Sequence, residues 1–84
     1  MYSISYSRGA LKALRRMPTN TAKLIRAKLR ALAADPAAMR NVKKLTGSPG
    51  YRLRVGDWRV IYKIDPSDVV LVVKIGHRRE IYDA

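Results

Sequence analysis

In "YRLRVGDWRVIY", residues 51–62, apolar and basic residues alternate on both sides of a Gly-Asp pair. Alternation with a period of two is typical of a β-strand with one buried face. A Gly-Asp pair suits the two-residue turn of a β-hairpin. Such a turn sets the register of the two strands, so that Val55 lies opposite Trp58 and Arg54 lies opposite Arg59. We therefore predict a hairpin with one apolar face and one basic face.

The two faces of this hairpin differ sharply in charge. If "DPSD" (65–68) is a four-residue loop, Lys74 also lies opposite Arg59 and adds to the basic face. Like charges directly opposite each other destabilise a sheet by some tenths of a kcal/mol. The basic side chains could simply be solvated, but ordinary surfaces mix both signs, and guanidinium donors suit phosphate oxygens. We therefore favour an anion-binding face. The apolar face consists of Tyr51, Leu53, Val55, Trp58, Val60 and Tyr62, and the basic face of Arg52, Arg54, Arg59 and Lys63.

Upstream of the hairpin, the pattern predicts one strand and two helices. "YSISYS" (2–7) alternates apolar residues with serines, as a half-buried strand does. Ser7 is the expected N-cap of a first helix that ends before Pro18, and a second helix extends to Asp35. The two helices are expected to cover one face of a sheet. Their apolar residues recur every three or four positions: Leu11, Leu14, Met17, Ile25, Leu29 and Leu32.

The remaining segments complete an α+β fold. Residues 36–50 show no sustained period, and so long a connection is often functional; it contains Arg40, Lys43 and Lys44. "VVLVVKI" (69–75) is apolar on both faces and is predicted to lie inside the sheet. "HRREIYDA", at the end of the chain, could add a last short strand. The predicted order is β-α-α-β-β-β, or β-α-α-β-β-β-β with that strand.

Composition limits the class of protein. The 84 residues are expected to form a single domain, residues 1–84. Eighteen Lys and Arg against six Asp and Glu give a formal net charge of +12, which favours a polyanion such as nucleic acid or an acidic protein. The absence of cysteine fits a reducing compartment. Because neither a signal peptide nor a membrane span of about 20 apolar residues is evident, we expect a cytoplasmic protein with no membrane partner.

The residue types restrict the chemistry. The carboxylates are scattered over turns and His77 is the only histidine, so we expect no metal site and no cofactor. RNA cleavage needs no metal when the ribose 2′-hydroxyl attacks the neighbouring phosphate. Clustered guanidinium groups would stabilise that transition state. His77 and Tyr82 are the candidates for proton transfer, although each could equally have a structural role.

Four motifs together resemble those of the RelE/ParE toxin superfamily of bacterial toxin–antitoxin systems, and within it the RelE branch. They are the opening "Y-x-I-x-Y-S", "ALKALRRMP", "KKLTGSPGYRLRVGDWRVIYKI" and "VVLVVKIGHRREIY", and they extend over nearly the whole chain. The resemblance implies a curved antiparallel sheet with two helices packed on one face. This architecture agrees with the order read from the sequence.

The resemblance also implies an activity and a site. It suggests a ribosome-dependent mRNA interferase, an endoribonuclease that cuts mRNA in the ribosomal A site without a metal. Arg52 and Arg54 match a pair of basic residues that are often lysines in relatives, and Arg59 matches an arginine that contacts phosphate. Arg78 matches the arginine that follows "G-H/K", and Tyr82 matches a terminal tyrosine that stacks on the substrate base or aids proton transfer. Since arginine is a poor base, either the arginines act mainly by electrostatics while Tyr82 or His77 moves the protons, or the activity is weaker. Further RNA contacts are expected from Lys43, Lys44, Lys63 and Lys74.

Other functions remain open at the level of the sequence. Members of the ParE branch share the fold but inhibit DNA gyrase, and a basic binding module without activity would have a similar composition. A ribonuclease and a gyrase inhibitor would both arrest growth when expressed, whereas a binding module without activity would not. A toxin of this kind is expected to bind an acidic antitoxin in addition to the ribosome and mRNA. Such an antitoxin segment would fold on binding.

Overall fold

The computed structural model of the protein describes residues 1–81, which form a five-stranded sheet with two helices on one face. The strand order across the sheet is β1-β5-β4-β3-β2. The elements are β1 (Ser3–Tyr6), α1 (Arg8–Arg16), α2 (Thr19–Ala34), a short 3₁₀ helix (Pro36–Ala38), β2 (Val42–Lys44), β3 (Tyr51–Val55), β4 (Trp58–Asp65) and β5 (Val69–His77).

The β3–β4 hairpin has the register that its turn predicts. Val55 pairs with Trp58, Arg54 with Arg59, and the pairing continues without a shift to Tyr51 opposite Tyr62. Gly56 has a φ of 59°, in the left-handed region that the first position of such a turn requires and that glycine adopts without strain. The predicted division into an apolar and a basic face is therefore confirmed at the level of strand register.

The α+β class and the packing of both helices on one sheet face are confirmed, but the sheet is mixed, not wholly antiparallel. β1 runs parallel to β5, with Ser3 opposite Val69 and Tyr6 opposite Val72. Alternation within β1 identifies a strand but carries no information about its direction. Parallel neighbours need a long crossover, and here the connection contains both helices and three strands.

Two further segments differ from the sequence prediction. The additional strand after the helices is β2, which pairs with β3. It lies within residues 36–50, where the sequence showed no sustained period. Three residues are too few to display an alternation. The last short strand expected after His77 is not found in residues 78–81, where the chain forms a turn. Residues 82–84 lie outside the described part of the chain.

The predicted position of Lys74 opposite Arg59 is wrong, and the turn before β5 is the first cause. Asp65 pairs with Val69, so the loop has three residues, one fewer than predicted. The turn is closed by a hydrogen bond from the Asp68 N–H to the Asp65 carbonyl at 3.0 Å, and Asp68 has a φ of 64°. Hydrogen bonds from the Ser67 hydroxyl and N–H to the Asp65 carboxylate lower its pKa.

A β-bulge at Val73 is the second cause. Tyr62 pairs with Val72, whereas the preceding residue of β4, Ile61, pairs with Lys74. An extra residue in one strand resets the alternation of its side chains. Without it, Lys74 would continue the regular register opposite Val60, on the face that the helices cover. The bulge instead leaves Lys74 exposed.

The core lies between the helices and the sheet. The predicted N-cap is confirmed, because the Ser7 Oγ accepts a hydrogen bond from the Ala10 N–H at 3.0 Å. The same hydroxyl donates to the Val73 carbonyl at 2.7 Å, which ties the start of α1 to the bulge. No helix in residues 1–81 is long and apolar enough to cross a membrane. The largest fully buried side chains are Ile25, Leu29, Leu32, Leu53, Val60, Tyr62, Val70 and Val72.

Two leucines on α2 test its orientation. Leu29 is fully buried and Leu24 is 49% exposed. We expect Leu29→Ala to lower the free energy of unfolding by about 3 kcal/mol, because it removes buried apolar surface and leaves a cavity. Leu24→Ala, the same change on the solvent side of the helix, should alter it by less than about 0.5 kcal/mol. Urea unfolding of both variants measures the difference, and equal losses would contradict this orientation.

Tyr62 predicts how stability depends on alkaline pH. Burial raises the pKa of Tyr62 to about 12, and the nearby Tyr51 adds to the shift. In the unfolded chain the phenol ionises near pH 10, so between about pH 10 and 12 the folded state binds more protons than the unfolded state. The free energy of unfolding should therefore fall across this window, by about 3 kcal/mol in total. Urea unfolding at a series of pH values should show a smaller fall for Tyr62→Phe; an identical fall in both proteins would refute the assignment.

Candidate anion-binding site

The sheet face opposite the helices, here called the open face, concentrates positive charge. Arg54 lies directly opposite Arg59 on β4, and Lys43 of β2 lies directly opposite Arg52. Residues opposite each other in antiparallel strands have Cβ atoms about 5 Å apart. Three neighbouring strands thus place four cationic side chains side by side. By strand register, the open face consists of Ser3, Ser5, Lys43, Arg52, Arg54, Arg59, Ile61, Lys63, Asp65, Val69, Leu71, Lys74 and Gly76.

The backbone of the hairpin turn holds the guanidinium of Arg59. Its Nη1 donates to the Gly56 carbonyl at 3.0 Å and to the Trp58 carbonyl at 3.1 Å. These bonds satisfy part of the donor fork, and within residues 1–81 no carboxylate forms an ion pair with this guanidinium. Arg52 is also half-buried, and its Nε is inaccessible to solvent. Because these two cations are partly shielded from water, an anion placed between them would be bound more strongly than at a fully exposed surface.

A cleft extends the basic cluster toward the edge of the sheet. It has a volume of about 180 Å³. Asn41 fixes its rim, since the Arg54 N–H donates to the Asn41 carbonyl at 2.9 Å. Arg40 lines this cleft but was not predicted as a site residue; its place beside Lys43 in the irregular connection was the only signal. The lining residues are Arg40, Asn41, Val42, Lys43, Arg52 and Arg54.

Arg78 lies at the turn end of the hairpin. Its N–H donates to the Asp57 carbonyl at 2.7 Å, and its Nε is 3.7 Å from the Asp57 Oδ1, with both side chains more than half exposed. A surface ion pair of this kind contributes at most about 1 kcal/mol, so a phosphate could readily replace the carboxylate. The turn is therefore contacted by Arg59 on one side and by Arg78 on the other.

His77 is placed away from the arginines. It lies opposite Trp58, and the two rings meet edge to face with centroids 5.7 Å apart. Its Nδ1 accepts a hydrogen bond from the Arg79 N–H at 3.3 Å. Since Trp58 packs against the core, these contacts favour the structural role for His77. The other proton-transfer candidate, Tyr82, lies outside the described residues.

The structure brings three of the four predicted RNA-binding lysines to the open face. Lys43 joins the arginine cluster, and Lys63 and Lys74 lie farther along β4 and β5. Lys44 is opposite Tyr51, on the other face of the sheet. In residues 1–81, no three His, Cys, Asp or Glu side chains come together in a way that could hold a metal ion. The chemistry that the open face offers is recognition of phosphate.

The segment that carries Arg78 folds back onto Gly76. The N–H groups of Glu80 and Ile81 both donate to the His77 carbonyl, at 2.8 and 3.2 Å. Ile81 is buried, and a Cβ added to Gly76 would lie only 3.0 Å from its Cδ1. Glycine at this position therefore allows the close approach of Ile81 and helps to hold the turn that begins at Arg78.

Comparison with known proteins identifies the family of this chain. The model of the family described as "ParE toxin of type II toxin-antitoxin system, parDE" matches residues 4–82. With almost the whole chain matched, this protein is a toxin of a type II toxin–antitoxin system. It belongs to the ParE toxin family, within the RelE/ParE superfamily. No curated protein sequence matches it closely enough to count as a relative.

Solved structures of RelE proteins share the fold. A chain of the intact RelBE toxin–antitoxin complex from E. coli is 25% identical, with a TM-score of 0.78, and the match covers 92% of this chain and 96% of that one. A chain of the archaeal RelE–RelB complex from Pyrococcus horikoshii OT3 is 28% identical, with a TM-score of 0.80 and coverage of 95% and 98%. The isolated E. coli RelE toxin is also 25% identical, with a TM-score of 0.77 and coverage of 92% and 84%.

A pair of glycines tests the role of Gly76. Gly76→Ala should lower the free energy of unfolding by about 1 kcal/mol, because its Cβ displaces Ile81. Hydrogen exchange should then show faster exchange of the Glu80 and Ile81 amides. Gly9→Ala is the control: nothing lies within 4 Å of its added Cβ, and alanine in α1 should raise stability by about 0.5 kcal/mol. In a protein that already carries Ile81→Ala, Gly76→Ala should not lower the free energy of unfolding. If it lowers it as much as in the wild type, the contact between Gly76 and Ile81 is contradicted.

Proposed function

We propose that this toxin is a ribosome-dependent endoribonuclease that cleaves mRNA in the ribosomal A site and so inhibits translation. The observation that carries the proposal is the pairing of Arg54 with Arg59 on the open face, next to the pairing of Arg52 with Lys43. Within residues 1–81, Lys43, Arg54 and Arg59 form no ion pair with a carboxylate. The similarity to RelE structures at 25–28% identity also supports the proposed endoribonuclease activity.

In the proposed reaction, the ribose 2′-oxygen forms a bond to the adjacent phosphorus and the bond from phosphorus to the 5′-oxygen breaks. The products are a cyclic phosphate and a free 5′-hydroxyl. Negative charge increases on the phosphoryl oxygens in the transition state, where Arg59, Arg54 and Arg52 would stabilise it. Arg78, adjacent to the same turn, would contribute a further guanidinium. No cofactor is required.

Proton transfer is assigned to Tyr82 in this proposal. The 2′-hydroxyl loses a proton and the leaving 5′-oxygen gains one, and arginine, with a pKa above about 12, is poorly suited to either step. The contacts of His77 with Trp58 and the Arg79 N–H point away from the arginine cluster. Tyrosine is therefore favoured over histidine. Lys43, Lys63 and Lys74 would bind the RNA on either side of the cleaved phosphate.

The proposal includes an acidic antitoxin as the partner that keeps the toxin inactive. Structures of RelE with RelB are among the similar folds, and the net charge of +12 favours a partner of opposite sign. A segment of the antitoxin that covers the open face would compete directly with RNA for the arginines. Its binding should therefore weaken as the ionic strength rises.

Inhibition of DNA gyrase is the second candidate function. It is favoured by one observation, the match of the ParE family model to residues 4–82. The two functions leave different products in a cell that expresses the toxin. New 5′ ends within translated codons support the ribonuclease, whereas double-strand DNA breaks with intact transcripts support the gyrase inhibitor.

Primer extension on a translated message tests the proposed activity directly. Purified toxin is added to the mRNA with and without ribosomes, and the 5′ ends are mapped. We expect cuts in the A-site codon only when ribosomes are present. Cuts of equal intensity without ribosomes would refute the ribosome dependence, and intact mRNA under both conditions would refute the ribonuclease.

Arg59→Ala tests the role of the arginine cluster. Loss of one contact to the transition state should cost about 3 kcal/mol, or about two decades in the cleavage rate, and restore growth of cells that express the toxin. The fold should persist, because the change removes one of two like charges that face each other. Arg30→Ala, on the exposed side of α2, removes the same charge and should leave toxicity intact. Full toxicity of Arg59→Ala, with normal stability, would disprove the mechanism.

A further inference from the structure

The turn that follows β5 is closed by hydrogen bonds that run in both directions between His77 and Glu80. The His77 N–H donates to the Glu80 Oε1 at 3.1 Å, and the Glu80 N–H donates to the His77 carbonyl at 2.8 Å. The His77 Nδ1 also accepts a hydrogen bond from the Arg79 N–H at 3.3 Å. We call this arrangement the His77–Glu80 box.

The backbone of this turn is bonded at every donor. In addition to the three N–H groups of the box, the Ile81 N–H donates to the His77 carbonyl at 3.2 Å, and the Arg78 N–H donates to the Asp57 carbonyl at 2.7 Å. All five consecutive N–H groups from residue 77 to residue 81 therefore have acceptors within the protein. Since water could satisfy such groups in an exposed turn, five protein acceptors in a row indicate that the path of the backbone is fixed.

The His77–Glu80 box has the pattern of a capping box. In that motif the side chain of the first residue accepts from an N–H two or three positions later, and a Glu or Gln at the fourth position accepts from the N–H of the first. His77 takes the first position with a ring nitrogen in place of the usual oxygen, and Glu80 takes the fourth. Because glutamine also serves at the fourth position, the motif needs an acceptor there and not a charge.

Arg78 is the residue that the box encloses. Its N–H bond to the Asp57 carbonyl ties it to the turn of the β3–β4 hairpin, and its Nε lies 3.7 Å from the Asp57 Oδ1. The Arg59 guanidinium is bonded to the same turn through the Gly56 carbonyl at 3.0 Å. Since a long exposed side chain has many rotamers, the box orients the Arg78 guanidinium by fixing the backbone that carries it.

A second use for Glu80, as a counter-ion, is not supported by its contacts. Glu80 lines a cleft of about 250 Å³ together with Lys12 and Arg16 of α1. Within residues 1–81, however, it forms no ion pair with either cation, whereas its Oε1 accepts from the His77 N–H. The hydrogen bond therefore accounts for Glu80 better than attraction to α1 does.

We propose that Glu80 is a positioning residue, which through its hydrogen bond to the His77 N–H holds the turn that presents Arg78 to the transferred phosphate. His77 has the same role, as a hydrogen-bond acceptor for the Arg79 N–H and not as a proton donor. The inference rests on the proposed function, because it assigns to the box the placement of one of the guanidinium groups of that reaction.

Two substitutions of Glu80 separate its hydrogen bond from its charge. Cleavage of a message bound to ribosomes is followed under single-turnover conditions. We expect Glu80→Ala to lower the rate constant about tenfold, within the hundredfold that a misplacement of about 1 Å can cost. Glu80→Gln keeps the acceptor and should cleave at close to the wild-type rate. A glutamine variant as slow as the alanine variant would overturn the proposal, since the charge would then be the property that matters.

A double-mutant cycle with Arg78 separates positioning from general stability. Arg78→Ala alone should slow cleavage, and adding Glu80→Ala should slow it no further, because the guanidinium that Glu80 positions is already absent. Urea unfolding should show that Glu80→Ala lowers the free energy of unfolding to the same degree with and without Arg78. If Glu80→Ala slows cleavage by the same factor in both cases, Glu80 does not act through Arg78 and the proposal is wrong.

A matched pair of variants tests the role of His77. Asparagine is among the best residues at the first position of such a motif and cannot transfer a proton at neutral pH, whereas alanine offers no acceptor. Both substitutions remove the ring contact with Trp58. We therefore expect His77→Asn to cleave faster than His77→Ala, and equal rates would contradict the acceptor role.

Hydrogen exchange without RNA makes failure of this inference distinguishable from failure of the proposed function. The His77 amide should exchange faster in Glu80→Ala than in the wild type or in Glu80→Gln. If the wild type cleaves and Glu80→Ala shows this faster exchange but an unchanged cleavage rate, the inference fails and the nuclease assignment stands. If the wild type cleaves no message on ribosomes, the nuclease assignment fails and the inference fails with it, whatever the exchange shows.

Discussion

The register of the β3–β4 hairpin determines both the packing of the core and the charge of the open face. A two-residue turn at Gly56-Asp57 determines at once which side chains enter the core and which face outward. The two helices then pack against Leu53, Val60 and Tyr62. On the other face of the sheet, Arg54 lies opposite Arg59. A shift of one residue would exchange these two sets. The buried apolar side chains therefore hold the arginines together against their mutual repulsion.

This repulsion is tolerated because core packing stabilises the fold by more than the repulsion destabilises it. A pair of like charges across two strands costs some tenths of a kcal/mol, whereas one fully buried aliphatic side chain contributes about 2 kcal/mol. The backbone reduces the cost further, because the carbonyls of Gly56 and Trp58 accept hydrogen bonds from the Arg59 guanidinium. Within residues 1–81, Arg54 and Arg59 form no ion pair with a carboxylate.

The parts of the fold that follow local rules could be predicted from the sequence, and the parts that depend on distant segments could not. The hairpin register follows from its turn. The N-cap of α1 follows from the residue type of Ser7, and the apolar faces of the helices follow from their periodicity. The direction of β1, the pairing of β2 and the bulge depend on residues far apart in the sequence, and the bulge in turn decides which partner Lys74 faces. The same distinction applies to the site: Arg52, Arg54 and Arg59 share a hairpin, while Arg40 joins them only through the pairing of β2.

The parallel pairing of β1 with β5 has a consequence for how the protein is made. Within residues 1–81, β1 pairs only with β5, which is synthesised after all the other strands described. Contacts so distant in sequence are formed late in folding. During translation, the amino-terminal edge of the sheet cannot close until β5 has left the ribosomal tunnel. The order of the strands therefore delays completion of the sheet until β5 has been synthesised and is free to pair.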